Sequence, residues 1–329
     1  MSTLSQEKDT YIGGFDILRT AAVIAVVGIH SFFSDPHLAS VVNNLSFAIP
    51  CFVLMTIYLS VRQINESSPV HFLKKRIVRL IPGFFAWTAI YVIARSIDGN
   101  IKNISLQTVA EYIFLGSAAL HLYFVPMIFY YSISLIIIPR PKAIRLSICF
   151  AGLFIALWLR SMGVTSLHFG NPEADAFPFY FIYNLPYLFI GVLIFDLIER
   201  TPCFLNAPSN SRFITAIFGC GSLLFWFLPT IFPVLVPEQE VARNVFLFLT
   251  LLSWPFDIPM WINKIASVTF GIYLSHHLIV EGLLRVEGFL QFNSDATNIT
   301  IIRFIVATVL AIALCMWLRK SRQTVWLVR

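Results

Sequence analysis

Apolar and polar positions alternate along this chain on the scale of whole helices. Roughly 20 mostly apolar residues are needed for an α-helix to cross a bilayer, and about ten stretches of that length occur, separated by short polar segments. The predicted spans are 15–33, 40–61, 78–97, 119–138, 144–163, 179–198, 213–235, 243–262, 265–284 and 300–318. The pattern predicts an all-α, polytopic transmembrane bundle of about ten helices. Span 243–262 has the weakest pattern, because Pro255, Asp257 and Pro259 interrupt it.

The composition requires a lipid environment for this bundle. Of the 329 residues, 58% are hydrophobic and only 12% are charged, about half the charged share of a soluble domain. We divide the chain into an N-terminal segment 1–14, a transmembrane domain 15–318 and a basic tail 319–329. The five cysteines show no zinc-ligand or redox spacing, so no metal site is predicted.

The basic residues between the apolar stretches predict the orientation. With the N-terminus inside, 16 Lys and Arg residues fall in cytoplasmic segments, including segment 62–77, and 6 fall outside. Cytoplasmic segments of membrane proteins carry such an excess, so both termini are predicted to be cytoplasmic. The same bias accounts for the net charge of +6, and we therefore predict membrane lipid, not nucleic acid, as a partner.

Two polar residues in the first span are candidates for chemistry. Arg19 and His30 are 11 residues apart, which places them within roughly 20° on one helix face and about 16 Å apart along the axis. A cation inside a span faces a partner or a wet cavity, and histidine exchanges a proton near neutral pH. The alternative is that Arg19 extends to the headgroups and His30 is a packing residue.

Further polar residues occur at the third and fourth spans. Arg76 and Arg79 are three residues apart and share a helix face, where their guanidinium groups either bind phosphates or anchor the helix at the headgroups. His121 and Tyr123 open the fourth span, either at a site on the outer side or as an interfacial pair.

The ninth span carries a third group of polar residues. Tyr273 and His276 are three residues apart and share a face, which we expect to point into the bundle. His277 is turned about 100° from His276, so of the two we expect His277 to be the packing residue. Glu281 lies one turn beyond His277 and is placed to orient it.

These residues resemble the motifs of the membrane-bound acyltransferase 3 family, which modifies sugars of surface polysaccharides, in its stand-alone branch. The resemblance covers roughly residues 15–318. The matching elements are Asp16, Arg19 and His30 in the first span, Arg76, Arg79 and Pro82 at the third, His121 to Phe124 at the fourth, and Tyr273 and His276 near the end. One departure is the pair Met55 and Thr56, where the family often has Ser-Gly, and it affects the expected packing of the second span.

The resemblance implies an O-acyltransferase, by default an O-acetyltransferase, of the bacterial inner membrane. Acyl-CoA, by default acetyl-CoA, would be the cytoplasmic donor substrate, with no bound cofactor, and a hydroxyl of a polysaccharide or lipid-linked sugar would be the acceptor. The implied roles are His30 as general base, Arg19, Arg76 and Arg79 as donor-binding residues, and Asp16, His121, Tyr123, Tyr273 and His276 as supporting or acceptor-side residues.

Two other functions are compatible with buried Arg and His residues on such a scaffold. One is a secondary transporter of glycans or lipid-linked sugars, although the inverted repeats and paired broken helices typical of transporters are not visible in the sequence. The other is a non-catalytic membrane subunit. Sequence motifs of hydrolases, P-loop NTPases, dinucleotide-binding domains and metalloproteases do not occur.

Overall fold

The regular secondary structure is entirely helical in the part of the chain that the structure describes, which confirms the all-α prediction. The computed structural model describes residues 11–33, 35–99, 104–163, 172–199, 208–231, 236–292, 294 and 296–328. The α-helices are α1 (Gly13–Phe32), α2 (Ala39–Leu45), α3 (Ala48–Glu66), α4 (Pro69–Ile97), α5 (Leu106–Phe114), α6 (Phe124–Ile137), α7 (Lys142–Ser161), α8 (Pro172–Glu199), α9 (Pro208–Ile231), α10 (Val236–Leu252), α11 (Met260–Ala266), α12 (Thr269–Phe289) and α13 (Thr297–Leu318). Two short 3₁₀ helices are Pro36–Leu38 and Val325–Leu327.

Helix α1 is the centre of the bundle. It packs against α2, α3, α10, α11, α12 and α13. Small residues on its surface, such as Ala22 and Ala25, are buried and let neighbouring helices approach closely. At Gly14 an added Cβ would lie 1.7 Å from the backbone oxygen of Leu251, so only glycine permits the contact between α1 and α10.

Helix α7 marks the lipid-facing edge of the bundle. Only 17% of its apolar stretch is buried, compared with 67% for α1. The exposed side chains include Phe150, Phe154 and Trp158, which no soluble surface would present together. The chain is therefore a multi-pass protein embedded in a membrane.

Six helical stretches among the described residues are long and apolar enough to cross a membrane. They are Gly13–Phe32, Pro36–Glu66, Pro69–Ile97, Lys142–Ser161, Pro172–Ile198 and Thr297–Leu318. Two shorter apolar helices, Phe124–Ile137 and Arg212–Phe227, accompany them. A total of about ten spans and the cytoplasmic location of both termini stay predictions.

The predicted continuous helix 243–262 is wrong. Helix α10 ends at Leu252, and the chain is not helical again until α11 begins at Met260. Pro255 and Pro259 lie in this gap, lack a backbone N–H and disfavour helical geometry at the residue before them.

Other predicted boundaries also change. The predicted span 40–61 is divided into α2 and α3, and the helix predicted from 119 begins at Phe124. Helix α4 begins at Pro69 rather than at 78, because Ser68 caps its N-terminus by accepting from the His71 N–H at 3.3 Å and Pro69 suits the first helical position. The predicted cytoplasmic segment 62–77 is therefore mostly helical, and Arg76 lies within α4.

The described part of the predicted tail 319–329 is packed against the bundle. The 3₁₀ helix Val325–Leu327 contacts α4, and Nε1 of Trp87 donates to the Leu327 carbonyl at 3.1 Å. Val328 is buried against Gly271 of α12, where an added Cβ would come within 2.5 Å of it. The end of the chain is thereby held beside α4 and α12.

Candidate active site

Four histidine side chains from three separate parts of the chain meet in the structure, and we call them the histidine cluster. His30 lies in the last turn of α1, His121 in the turn before α6, and His276 and His277 on α12. The His30 ring centroid is 5.9 Å from that of His121, 5.1 Å from that of His276 and 4.8 Å from that of His277. His121 is 4.9 Å from His276 and 5.1 Å from His277. The predicted His30, His121 and His276 thus lie together.

The structure brings His277, which we expected to be a packing residue, into the histidine cluster. Successive side chains on a helix point about 100° apart, and the centroids of His276 and His277 are 6.3 Å from each other. His30 and His121 nevertheless contact both rings, because they lie against the part of α12 between the two side chains. The helical angle from His276 alone could not reveal that the other histidines approach α12 there.

A sharp turn positions His121 in this cluster. Gly116 has φ +71°, in the left-handed region, and an added Cβ would lie 2.6 Å from the Leu122 oxygen. Glycine alone adopts this conformation without strain, so it allows the chain after α5 to fold back toward α12. His121 follows in the resulting turn and is buried.

Backbone carbonyls fix the tautomers of two of the rings. Nδ1 of His276 is 2.6 Å from the carbonyl oxygen of Tyr273, and Nε2 of His121 is 3.4 Å from that of Leu274. A carbonyl only accepts, so these two nitrogens carry the protons. The opposite nitrogens, Nε2 of His276 and Nδ1 of His121, are buried and lack a hydrogen-bond partner among the described residues. In the neutral rings each is a lone-pair acceptor.

A carboxylate fixes the third ring. Nε2 of His277 donates to Oε1 of Glu281 at 3.2 Å, in the orienting contact that the sequence predicted. Arg95 of α4 donates to the same oxygen at 3.5 Å and to Glu173 of α8 at 3.0 Å. Nδ1 of His277 is a further buried nitrogen that lacks a hydrogen-bond partner in the described part of the chain.

The histidine cluster is suited to proton transfer from a hydroxyl group. Its unpartnered nitrogens are acceptors that cannot bond to one another, whereas a hydroxyl can donate to any of them. Among the described residues, no group of three or more His, Cys, Asp or Glu side chains has the arrangement of a metal site.

Two adjoining cavities lie on the arginine side of the bundle. The first, which we call the basic cavity, has a volume of about 580 Å³ and is lined by Gln63, His71, Lys74, Lys75, Arg76, Val78, Arg79, Val325 and Trp326. The second, the middle cavity, has about 130 Å³. Gln63, Arg76 and Arg79 line both, so the two cavities are neighbours. Arg19 also lines the middle cavity, so the predicted donor-binding arginines surround one region.

A third cavity, the histidine cavity, has a volume of about 310 Å³ and includes His30 and His121 in its lining. Tyr273 lines both this cavity and the middle cavity. Its hydroxyl donates to the His121 carbonyl, and its ring centroid is 5.3 Å from that of Phe124. The Tyr273 side chain is therefore held in the wall that the middle cavity and the histidine cavity share. We call it the partition between the arginine side and the histidine side.

Asp16 positions Arg19 at the middle cavity. Its Oδ1 accepts from Arg19 at 3.4 Å, and its Oδ2 accepts from the Tyr11 hydroxyl at 2.6 Å. Partial burial and the adjacent carboxylate raise the pKa of Tyr11 to about 12, so this hydroxyl remains a donor at neutral pH. Asp16 thus contacts Arg19 and Tyr11, and its supporting role stays a prediction.

Arg76 and Arg79 differ in their surroundings. Arg76 is buried, donates to the Ser60 hydroxyl and lies 5.3 Å from the centroid of the Phe72 ring. Arg79 is exposed and lines both cavities of the arginine side. Arg76 is thus held by contacts with Ser60 and Phe72, and Arg79 contributes an exposed guanidinium group to the cavity walls.

Part of the wall of the histidine cavity is aromatic. Tyr123 stacks on Tyr180 of α8 with centroids 4.3 Å apart and planes 4° apart. Phe179 stacks on Tyr183 at 5.7 Å and 13°. All four rings line the cavity, together with the polar side chain of Asn184. The wall offers flat apolar faces with hydroxyl and amide groups beside them.

The structure adds site residues that sequence reasoning missed. Ser60, Tyr180 and Trp326 had no motif or intramembrane charge to mark them. Ser60 lies one turn beyond Thr56, and Met55 and Thr56 themselves line the middle cavity. The Met55–Thr56 departure therefore changes a cavity wall and is not confined to helix packing.

Comparison with known proteins agrees with this geometry. Searches of curated proteins and of solved structures found no match. A family model described as an acyltransferase domain matches residues 12–320, nearly the whole chain. The chain therefore belongs to the acyltransferase 3 family and is a membrane-embedded acyltransferase.

Proposed function

We propose that the protein is an O-acetyltransferase of the bacterial inner membrane, which moves the acetyl group of cytoplasmic acetyl-CoA to a hydroxyl of a surface-polysaccharide or lipid-linked sugar. The observation that carries the proposal is the meeting of two unlike cavities at Tyr273. Guanidinium groups line the middle cavity on one side, and imidazole groups line the histidine cavity on the other.

The arginine side suits a phosphorylated thioester donor. Guanidinium groups form paired hydrogen bonds with phosphate oxygens, and Arg76 and Arg79 stand where the wide basic cavity narrows into the middle cavity. The continuous helix α1 separates Arg19 from His30 by about 16 Å. A pantetheine arm spans that distance while the phosphates stay on the arginines.

The histidine side suits a sugar acceptor. The apolar face of a pyranose ring stacks on flat aromatic rings such as the Tyr123–Tyr180 pair, and amides such as that of Asn184 bind its hydroxyls. His30 and His121 line the same cavity and supply the proton acceptors.

The chemistry follows from these positions. His30 takes the proton of the sugar hydroxyl as its oxygen attacks the thioester carbonyl carbon. The carbon–sulfur bond breaks, the proton passes from the imidazole to the sulfur, and the products are the sugar ester and free coenzyme A. His277, held by Glu281, lies beside His30 and stabilises the positive charge that forms on the imidazole.

The proposal is tested with purified protein in proteoliposomes, radiolabelled acetyl-CoA and surface polysaccharide from the producing bacterium, stripped of its esters by mild alkali. We expect alkali-labile label on the polysaccharide and one free thiol for each ester formed. His30→Ala should abolish both signals, and Trp317→Leu, which changes an exposed residue of α13, should retain them.

Two results would contradict the proposal. If the labelled acetyl group stays on coenzyme A with every acceptor fraction, the protein does not catalyse the proposed transfer. Uptake of labelled polysaccharide fragments without thiol release would instead support a transporter of glycans.

A further inference from the structure

The basic cavity has one wall that comes from the end of the chain. Val325 and Trp326 of the 3₁₀ helix line it together with cationic residues of α4. The sequence pattern had assigned this segment to a basic tail, and the donor-binding residues considered so far do not include it.

The tail segment is fixed, while the indole of Trp326 is partly exposed at the cavity. The Leu327 carbonyl accepts from Trp87, and Val328 is buried. Nε1 of Trp326 donates to the Gln323 carbonyl at 2.6 Å, so the indole N–H is satisfied and the ring is held. The side chain nevertheless remains 44% exposed. A rigid, exposed aromatic face beside a cavity is suited to stacking against a flat ligand.

The cations around this face indicate the kind of flat ligand. Lys74, Lys75 and Arg79 are exposed on α4 and line the same cavity as the indole. An aromatic face next to several cations fits a nucleotide, whose base stacks while its phosphates pair with the cations. The volume of about 580 Å³ is in the range of small-molecule sites, whereas the middle cavity, at about 130 Å³, is too small for a base and its phosphates.

We infer that the basic cavity is a nucleotide site in which Trp326 stacks on the adenine of the donor and Lys74 and Lys75 bind its phosphate groups. The identification of the nucleotide as that of coenzyme A rests on the proposed function. The stacking site itself rests only on the cavity, its cations and the fixed indole.

Binding without turnover tests the stacking directly. Adenosine 3′,5′-bisphosphate, the nucleotide part of coenzyme A, is titrated into purified protein by calorimetry. We expect Trp326→Leu to weaken binding about tenfold, which corresponds to the loss of one base–aromatic stack, and Trp326→Phe to weaken it less. Trp317→Leu is the matched control, because Trp317 is also exposed but lies outside the basic cavity.

Kinetics with two donors tests the same contact in the reaction. Trp326→Leu should raise the KM for acetyl-CoA about tenfold and leave the KM for S-acetyl-pantetheine, which lacks the nucleotide, unchanged. A tail that only anchors the fold would alter both donors alike.

The inference is overturned if Trp326→Leu binds the bisphosphate as the wild type does. It is also overturned if Trp326→Leu and Trp317→Leu lose binding equally, as expected for membrane-interface anchors. Failure of the proposed function is a different outcome. In that case no acceptor is acetylated, but the bisphosphate still binds in a manner that depends on Trp326.

Discussion

The carboxylate behind the histidine cluster can be tested by the substitution Glu281→Gln. Its Oε1 accepts from His277 at 3.2 Å, and a hydrogen bond between charged groups contributes about 1.5–3 kcal/mol. In the proposed mechanism the cluster becomes positively charged only during transfer, so this energy is lost mainly from the transition state. At about 1.4 kcal/mol for each factor of ten, kcat should fall about 10- to 150-fold, with the KM for acetyl-CoA unchanged.

The control for this prediction is Glu173→Gln. Glu173 and Glu281 both accept from Arg95, and Glu281 also accepts from His277 of the histidine cluster. Initial rates of label transfer to the stripped polysaccharide, together with the melting temperature in detergent, are measured for both variants. We expect the Glu173 variant to stay within about twofold of wild type. The reasoning is refuted if Glu281→Gln keeps its kcat, or if both variants lose activity equally, because the carboxylates would then serve only to anchor Arg95.

Three further predictions concern the remaining parts of the site. His30→Ala should remove acetyl transfer while membrane insertion and melting temperature stay near wild type, and ester formation at the wild-type rate would exclude it as the base. Arg76→Ala should raise the KM for acetyl-CoA about tenfold or more. Arg76→Lys should restore only part of the loss, because an ammonium group cannot form the paired hydrogen bonds of a guanidinium group with phosphate. Unchanged binding of coenzyme A would contradict this prediction. In a chain without native cysteines, a membrane-impermeant maleimide should label His37→Cys, between the first two predicted spans, but not Ser67→Cys in intact cells. The reverse would place the arginines on the wrong side.

The sequence predicted the helical elements well because their pattern is long and redundant. A stretch of about 20 apolar residues tolerates several deviations and still identifies a helix such as α13. The sequence predicted the ends of the helices poorly, because a helix end depends on a few local contacts. The cap of Ser68 moves the start of α4 well before its apolar stretch, and the prolines after Leu252 end α10 early.

The candidate site was predictable where a polar residue has no reason to be in lipid. Arg19, His30 and His276 are conspicuous for that reason. The resemblance to a family added that such residues occur in the same order along the chain. Contacts made across the bundle were not predictable, because they depend on how helices cross. His277 joins the cluster only because α1 meets α12 at that point, and Trp326 faces a cavity only because the tail packs against α4.

The sizes of the cavities favour passage of an acyl group over passage of a whole substrate. The proposed nucleotide is larger than the middle cavity, so in the proposal it remains on the arginine side while only a thin chain reaches Tyr273. The buried Tyr273 hydroxyl donates to the His121 carbonyl, which also accepts from the Phe124 N–H at 3.4 Å. Opening this partition would therefore cost about 0.5–1.5 kcal/mol, the net contribution of one hydrogen bond. A thioester that stops at this partition is within reach of the histidines yet shielded from the water of the other side. The same partition would block a sugar, which is why the geometry fits transfer better than transport.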